Sequence, residues 1–145
     1  MITYPLYWPH FNSKLNDNYY NPYKNLDKAY ILYQGRISAD RLGINDELFQ
    51  LHKRLKNKFN LVISGSGNWD MLIKTFPKKS LNKTVFIHRD SIWPYHIIKD
   101  AFCTVNINRS EGLGISLIES IALNVPVLSY DNGGCTNTLE KYQPN

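Results

Sequence analysis

Five short apolar runs, each followed by a stretch of helical period, set the limits on what this chain can fold into. Residues 29–34 read as a buried strand. Leu48, Leu51, Leu55 and Phe59 then recur at helical spacing, with Asn45 expected as the helix cap. Leu61-Val62-Ile63 is a second strand, and a short helix from Trp69 to Phe76 stops before Pro77. Thr84 to His88 is a third strand, a short helix follows Pro94, and Phe102 to Ile107 is a fourth strand. Ile115 to Leu123 reads as an amphipathic helix and Val125 to Ser129 as a fifth strand. This rhythm predicts an α/β fold, a parallel sheet with helices on both faces, whose ligand sits beyond the carboxyl ends of the strands. Candidate ligand groups fall at those ends: Arg36 after the first strand, Gly65 and Gly67 after the second, His88 at the end of the third and Glu111 after the fourth.

At 145 residues the chain suits one domain with one core, burying roughly two-thirds of its unfolded surface. Residues 1–28 are rich in Tyr, Pro and Asn and carry neither period. They are expected as a linker or strap that packs on the domain through its aromatic rings. The net charge of +5 suits an anionic ligand and would also suit nucleic acid or an acidic membrane surface. The basic residues are scattered, however, as on an ordinary solvated face, so no nucleic-acid partner is expected. No secretory signal or membrane-spanning apolar run is evident. Cys103 and Cys135 lack metal-site spacing and are expected as reduced thiols of a soluble, cytoplasmic protein, with contact at a membrane surface left open.

Most of the chemistry is concentrated between Glu111 and Gly134. Glu111 and Glu119 bracket the run Glu111-Gly112-Leu113-Gly114-Ile115-Ser116-Leu117-Ile118-Glu119, and Pro126-Val127 and Gly133-Gly134 follow. Two glycines let the backbone turn closely against a ligand, and a helix starts at about Ile115. The N–H groups and positive dipole end of that helix stabilise a phosphate in the crevice. Glu119, in the first turns, leans back toward the N-terminus and can accept hydrogen bonds from hydroxyls. Each carboxylate could equally be an exposed helix-start acid. The joint pattern with Gly112, Gly114, Pro126 and the glycine pair favours a ligand site.

This segment resembles the signature of the glycosyl transferases group 1 family: a Glu, seven residues, a Glu, then Ala-x-Gly-x-Pro-Val and a Gly-Gly turn. Ala122-Leu123-Asn124-Val125-Pro126-Val127 departs from it only at Asn124, where the family has Gly; a helix-ending left-handed position tolerates Asn. Gly35-Arg36-Ile37-Ser38-Ala39-Asp40-Arg41 is similar to the family's Gly-Arg-x-Ser-x-x-Lys loop, with Arg41 in place of lysine. The resemblance implies the Rossmann-like, nucleotide-sugar-binding domain of the two-domain B-type fold over residues 29–145. It stops one helix after Gly133-Gly134, so an incomplete domain, part of a larger enzyme, is expected. By resemblance, Glu111 touches the transferred sugar and Glu119 the ribose hydroxyls. The backbone of Gly112, Leu113, Gly114 and Ile115 meets the phosphates, and Arg36 and Arg41 neutralise the leaving diphosphate. His88 or Arg89 would lie near the base.

The resemblance further implies a retaining transfer from a nucleoside diphosphate sugar by front-face displacement, in which an oxygen of the leaving diphosphate helps deprotonate the acceptor. No metal or other cofactor is expected. An amino-terminal acceptor domain, in the same chain or a partner, would complete the enzyme. Two other readings remain: a stand-alone or inactive sugar-nucleotide-binding module that pairs with a separate acceptor-domain chain, and a sugar-nucleotide epimerase on the same fold. Ser64-Gly65-Ser66-Gly67 fits a tight strand-to-helix turn as well as it fits nucleotide contact. His88-Arg89-Asp90 matches the protein-kinase catalytic tripeptide, but no phosphate loop or Asp-Phe-Gly accompanies it. His10, His52 and His96 are expected to be packing or surface residues, and the sequons at Asn82 and Asn108 to be chance matches.

Overall fold

The computed structural model describes residues 20–38, 44–56, 58–89, 94–109, 114–131 and 133–142. Five strands, β1 (Tyr30–Gln34), β2 (Asn60–Ser64), β3 (Val85–His88), β4 (Cys103–Asn106) and β5 (Val127–Ser129), form one parallel sheet in the order β3-β2-β1-β4-β5. Between and after them run α1 (Ile44–Leu55), α2 (Trp69–Thr75), α3 (Tyr95–Lys99), α4 (Ile115–Ala122) and α5 (Gly134–Tyr142). The sequence expectation of a Rossmann-like α/β sheet holds. Its strands read as unbroken apolar runs because β1 and β2 are covered on both faces.

Register decides which side chain faces which helix layer. Ile31, Leu61 and Val85 align across the three strands, as do Tyr33, Ile63 and Ile87. With Ile44 and Leu48 of α1 and Leu72 of α2 they build one core. One residue along, Leu32, Val62 and Phe86 point to the other face, where Tyr95, Ile97 and Ile98 of α3 meet them. The same face of β4 carries Thr104, whose hydroxyl donates to Ser120 of α4 at 2.9 Å, and Asn106, whose amide donates to Cys135 Sγ of α5 at 3.5 Å. Helices therefore lie on both faces.

Residues 20–29 lie against this second face. Asn21 is buried, and its amide donates to Tyr30 Oη (3.0 Å), the His96 carbonyl (3.3 Å) and Asp100 Oδ2 (2.9 Å). Tyr23 stacks edge-on against Tyr30 and His88. Residues 1–19, with the Tyr-rich stretch, lie outside the described residues.

Several boundaries differ from the periodicity. Asn45 sits inside α1, which already includes Ile44, so it is not the cap, and Phe59 falls beyond the helix to pack on Phe102. Asn68, by contrast, caps α2, accepting from the Met71 N–H at 3.2 Å. The strand expected from Val125 begins at Val127, since Pro126 has no N–H to give the ladder. α4 ends in a Schellman turn, with Val125 N–H donating to the Ser120 carbonyl at 2.9 Å and Asn124 N–H to Ile121 at 3.0 Å. Asn124 stands at φ 56°, the left-handed conformation anticipated for it. Asn124→Gly should leave stability within about 0.5 kcal/mol in urea unfolding, whereas Asn124→Ala should cost ~1 kcal/mol, because a left-handed alanine carries the Cβ penalty without the local compensation of Asn.

Candidate functional site

The last residue of every strand is polar: Gln34, Ser64, His88, Asn106 and Ser129. Gln34, Ser64 and His88 are in direct register, and Asn106 aligns with Ser129, so the carboxyl edge of an apolar sheet presents a polar row. The candidate residues gather along it. Gly35 and Arg36 leave β1, Gly65 and Gly67 leave β2, Arg89 follows His88, and Gly114, Ile115 and Glu119 belong to the helix entered from β4. Glu111, Gly112, Leu113 and Arg41 lie outside the described residues.

The two chains leaving β1 and β2 stay paired past the strand ends. Gly35 N–H donates to the Ser64 carbonyl (3.0 Å), Ile37 N–H to Ser66 (2.7 Å) and Asn68 N–H to Ile37 (2.6 Å). This approach leaves no room for side chains. A Cβ on Gly67, which has φ 136°, would lie 1.8 Å from the Ile37 carbonyl oxygen, and one on Gly65 would lie 1.9 Å from that of Gly35. Of the two readings left open for Ser64-Gly65-Ser66-Gly67, the tight backbone turn has this direct structural cause. Arg36 projects from the paired segment as an exposed side chain. His88 is held by Tyr23, whose hydroxyl lies 3.2 Å from Nδ1, so this ring is packed against the domain's own second face. Arg89 is exposed.

Gly114 opens α4 in a left-handed conformation, φ 63° and ψ 63°. One turn in, Ser116 shares a narrow crevice with Gln34 and Asn106, which puts the helix N-terminus at the carboxyl edge. No acid occupies the first turn to satisfy the dipole. Ile115 is largely exposed there. Glu119 lies one turn further, pointing back toward β1, where the amide of Gln34 donates to its Oε2 at 3.4 Å. Burial raises the Glu119 carboxyl to about 7, because its charge is poorly solvated there. Gln34 Oε1, and Ser64 Oγ at the neighbouring strand end, are buried with no hydrogen-bond partner among the described residues.

A second polar cluster was not foreseen from the sequence. Glu47 of α1 accepts from Arg109, at 2.6 Å from Nη2 and 3.2 Å from Nε, and also from the Tyr130 hydroxyl. These bonds hold the Glu47 carboxyl below its ordinary range, the Tyr130 bond foremost. The three residues border an open groove of about 490 Å³ between α1 and the ends of β4 and β5. Arg109 closely follows β4, so the cluster ties the chain leaving that strand to α1. With sequence separations of 62 and 83 residues, only the topology could bring them together. Among the described residues no group of three or more His, Cys, Asp or Glu side chains converges on a metal position, and no helix is long and apolar enough to cross a membrane.

A parallel sheet with a polar carboxyl edge, an exposed arginine after β1 and a carboxylate inside a helix opened by Gly114 define a Rossmann-like α/β domain, a class whose ligands sit beyond the carboxyl ends of the strands. The chain belongs to the glycosyl transferases group 1 family, which matches residues 21–145. It is similar to the poly(ribitol-phosphate) alpha-N-acetylglucosaminyltransferase of Staphylococcus aureus, with 26% identity over 96 residues that cover 66% of this chain and 20% of that protein. A solved S. aureus TarM variant, in complex with fondaparinux, alpha-GlcNAc-glycerol and UDP, matches 77% of the chain and 23% of its own length at 25% identity and a TM-score of 0.57. The C-terminal domain of the group 1 family protein LpcC from Francisella tularensis matches 77% of the chain and 63% of its own length, with 17% identity and a TM-score of 0.60. The chain thus spans a fifth of the length of the curated relative it matches.

The raised carboxyl of Glu119 has a consequence for stability. Its pKa is about 7 in the folded protein against an ordinary 4.5. Between those values the folded state binds more protons than the unfolded chain, so this group's contribution is most favourable below about pH 4.5 and is lost as pH rises through 7. Glu119→Gln should therefore match the parent in thermal unfolding near pH 4.5 and exceed it at pH 8, by at most ~3 kcal/mol. A parent at least as stable as the variant at pH 8 would contradict the burial of this charge.

Proposed function

We propose that this chain supplies the donor-binding half of a retaining glycosyltransferase that draws on a nucleoside diphosphate sugar. The observation that carries the reading is the position of Glu119: a carboxylate inside the helix that opens on the carboxyl edge, met there by the Gln34 amide at 3.4 Å. A nucleotide with its phosphates at that helix's N-terminus would bring its ribose hydroxyls to this carboxylate. The UDP bound in the TarM structure favours a uridine nucleotide.

In this reading Glu119 accepts from the ribose hydroxyls. Backbone N–H groups from Gly112 to Ile115 meet the phosphates, and Glu111 touches the transferred sugar. Arg36 and Arg41 lie over the diphosphate. As the bond between the anomeric carbon and the diphosphate oxygen breaks, negative charge grows on the leaving group, and fixed cations stabilise it without reorganisation. The acceptor hydroxyl adds on the same face and passes its proton to a diphosphate oxygen. Gly65 and Gly67 keep the β1 and β2 loops low enough to leave space over the edge, and His88 and Arg89 border the base. Placing the acceptor and excluding water fall to an amino-terminal domain, in the same polypeptide or on a partner chain.

Calorimetric titration with UDP and with UDP-N-acetylglucosamine, the donor suggested by the relative's name, tests this assignment. Glu119→Ala should weaken both ligands about tenfold to a hundredfold, as expected for loss of a charge-assisted hydrogen bond. Glu111→Ala should leave UDP unchanged and weaken only the sugar-bearing donor. UDP binding as tight in Glu119→Ala as in the parent would refute the role given to that residue.

Cation dependence provides a separate check. With arginines and a helix terminus facing the phosphates, chelator should leave UDP affinity unchanged, and Arg36→Ala should lower it several-fold. A strict magnesium requirement would point to a different kind of site.

A further inference from the structure

We propose that Gln34 is a positioning residue for Glu119: its carboxamide N–H holds the carboxylate toward the crevice, while its carbonyl oxygen is left to accept a hydrogen bond from the bound nucleotide. This rests on the reading of Glu119 as a nucleotide ligand and adds a residue that neither the signature nor the Gly35–Arg41 loop includes.

Three observations carry it. Gln34 ends the central strand, and its Nε2 is 3.4 Å from Glu119 Oε2 across a sequence gap of 85 residues. A leucine or valine would complete the apolar run Tyr30–Tyr33 equally well, so the choice of an amide here is not explained by packing. Its Oε1 is buried without a partner among the described residues, as is the Oγ of Ser64, its register neighbour on β2. A buried acceptor left unpaired costs stability that a ligand donor restores. The narrow crevice that Gln34 borders is otherwise lined by Thr104, Val105, Asn106, Ser116, Leu117 and Ser120. Among the described residues none of those side chains is charged, and burial is what raises the Glu119 carboxyl. The Gln34 amide is the side-chain donor found on that carboxylate among the described residues and opposes the effect of burial, which makes the link measurable through the titration of Glu119.

The test uses the full 145-residue chain with Gln34→Leu, with Gln34→Met as a second apolar replacement. Glu119→Gln serves to subtract the titration of the nucleotide's own phosphate. In the ligand-free protein, the carboxyl-carbon NMR titration of Glu119 should have its midpoint moved up by about one pH unit when the amide donor is removed. UDP affinity, measured by calorimetry from pH 5.5 to 9, should show the same upward displacement, leaving Gln34→Leu about tenfold weaker than the parent at pH 6. The difference should narrow toward pH 9, where a residual loss reports the missing carbonyl acceptor.

An unmoved Glu119 midpoint overturns the proposal. So does a loss of affinity that is uniform across pH, since a merely structural role would lower binding without moving the profile. If the midpoint moves but UDP affinity at pH 6 does not, Gln34 touches Glu119 without positioning it for ligand, and the proposal fails while the contact stands. If the parent binds no UDP, or binds it with the same profile as Glu119→Gln, the reading of Glu119 itself fails and the Gln34 proposal with it.

Discussion

The carboxyl edge depends on how closely the chain leaving β1 runs against the chain leaving β2. Pairing continues through Gly35 and Ile37 on one side and Ser64, Ser66 and Gly67 on the other, at separations that exclude any Cβ at Gly65 or Gly67. This ladder fixes the height of both loops above the sheet and aligns Gln34 with Ser64, which determines where a ligand can rest. It also gives Arg36 a rigid base. A guanidinium on a loop anchored on one side by backbone hydrogen bonds loses less entropy on meeting a phosphate than one on a free loop.

Much of the fold was legible because a parallel sheet buried on both faces leaves a plain trace: Ile31 to Tyr33 and Leu61 to Ile63 are apolar runs between helical periods. Boundaries were less legible where hydrogen bonding rather than hydrophobicity decides. Val125 is as buried as a strand residue, yet it belongs to the helix-terminating turn, and Phe102 donates its N–H to Tyr30 while its ring stays exposed. Asn45 resembled a cap in sequence but lies in the helix, because Ser, Asn and Asp near an apolar period do not by themselves fix the first helical residue.

At the site, local chemistry was readable and long-range pairing was not. Gly114 before an apolar helix, Asn124 after it and an arginine past the first strand each follow from the needs of a few adjacent residues. Gln34 reads as the polar end of a strand, and nothing nearby reveals that it meets a carboxylate 85 positions on. The same holds for Glu47, whose partners Arg109 and Tyr130 come from the ends of two other elements. Such pairs become visible once the order β3-β2-β1-β4-β5 is known, because β1 and β4 are then neighbours and the helix α4 that follows β4 meets the end of β1.

In the role proposed for it, Glu119 would be both a ligand group and a local weakness. A carboxylate fully exposed on a helix would cost nothing to ionise, but it would meet a ribose in competition with water and gain little. Packed against Gln34, it resists ionisation, and the Gln34 carbonyl oxygen is left without a partner among the described residues. A ligand hydroxyl that supplies the missing hydrogen bonds therefore recovers a cost already present in the free protein, so more of the contact's gross strength appears as affinity. The rest of the domain tolerates this because its stability comes from elsewhere: two apolar cores on either side of β1 and β2, and the Asn21 bonds that bind the leading segment to Tyr30 and α3. The edge that handles charge is thus mechanically supported by a centre that handles none.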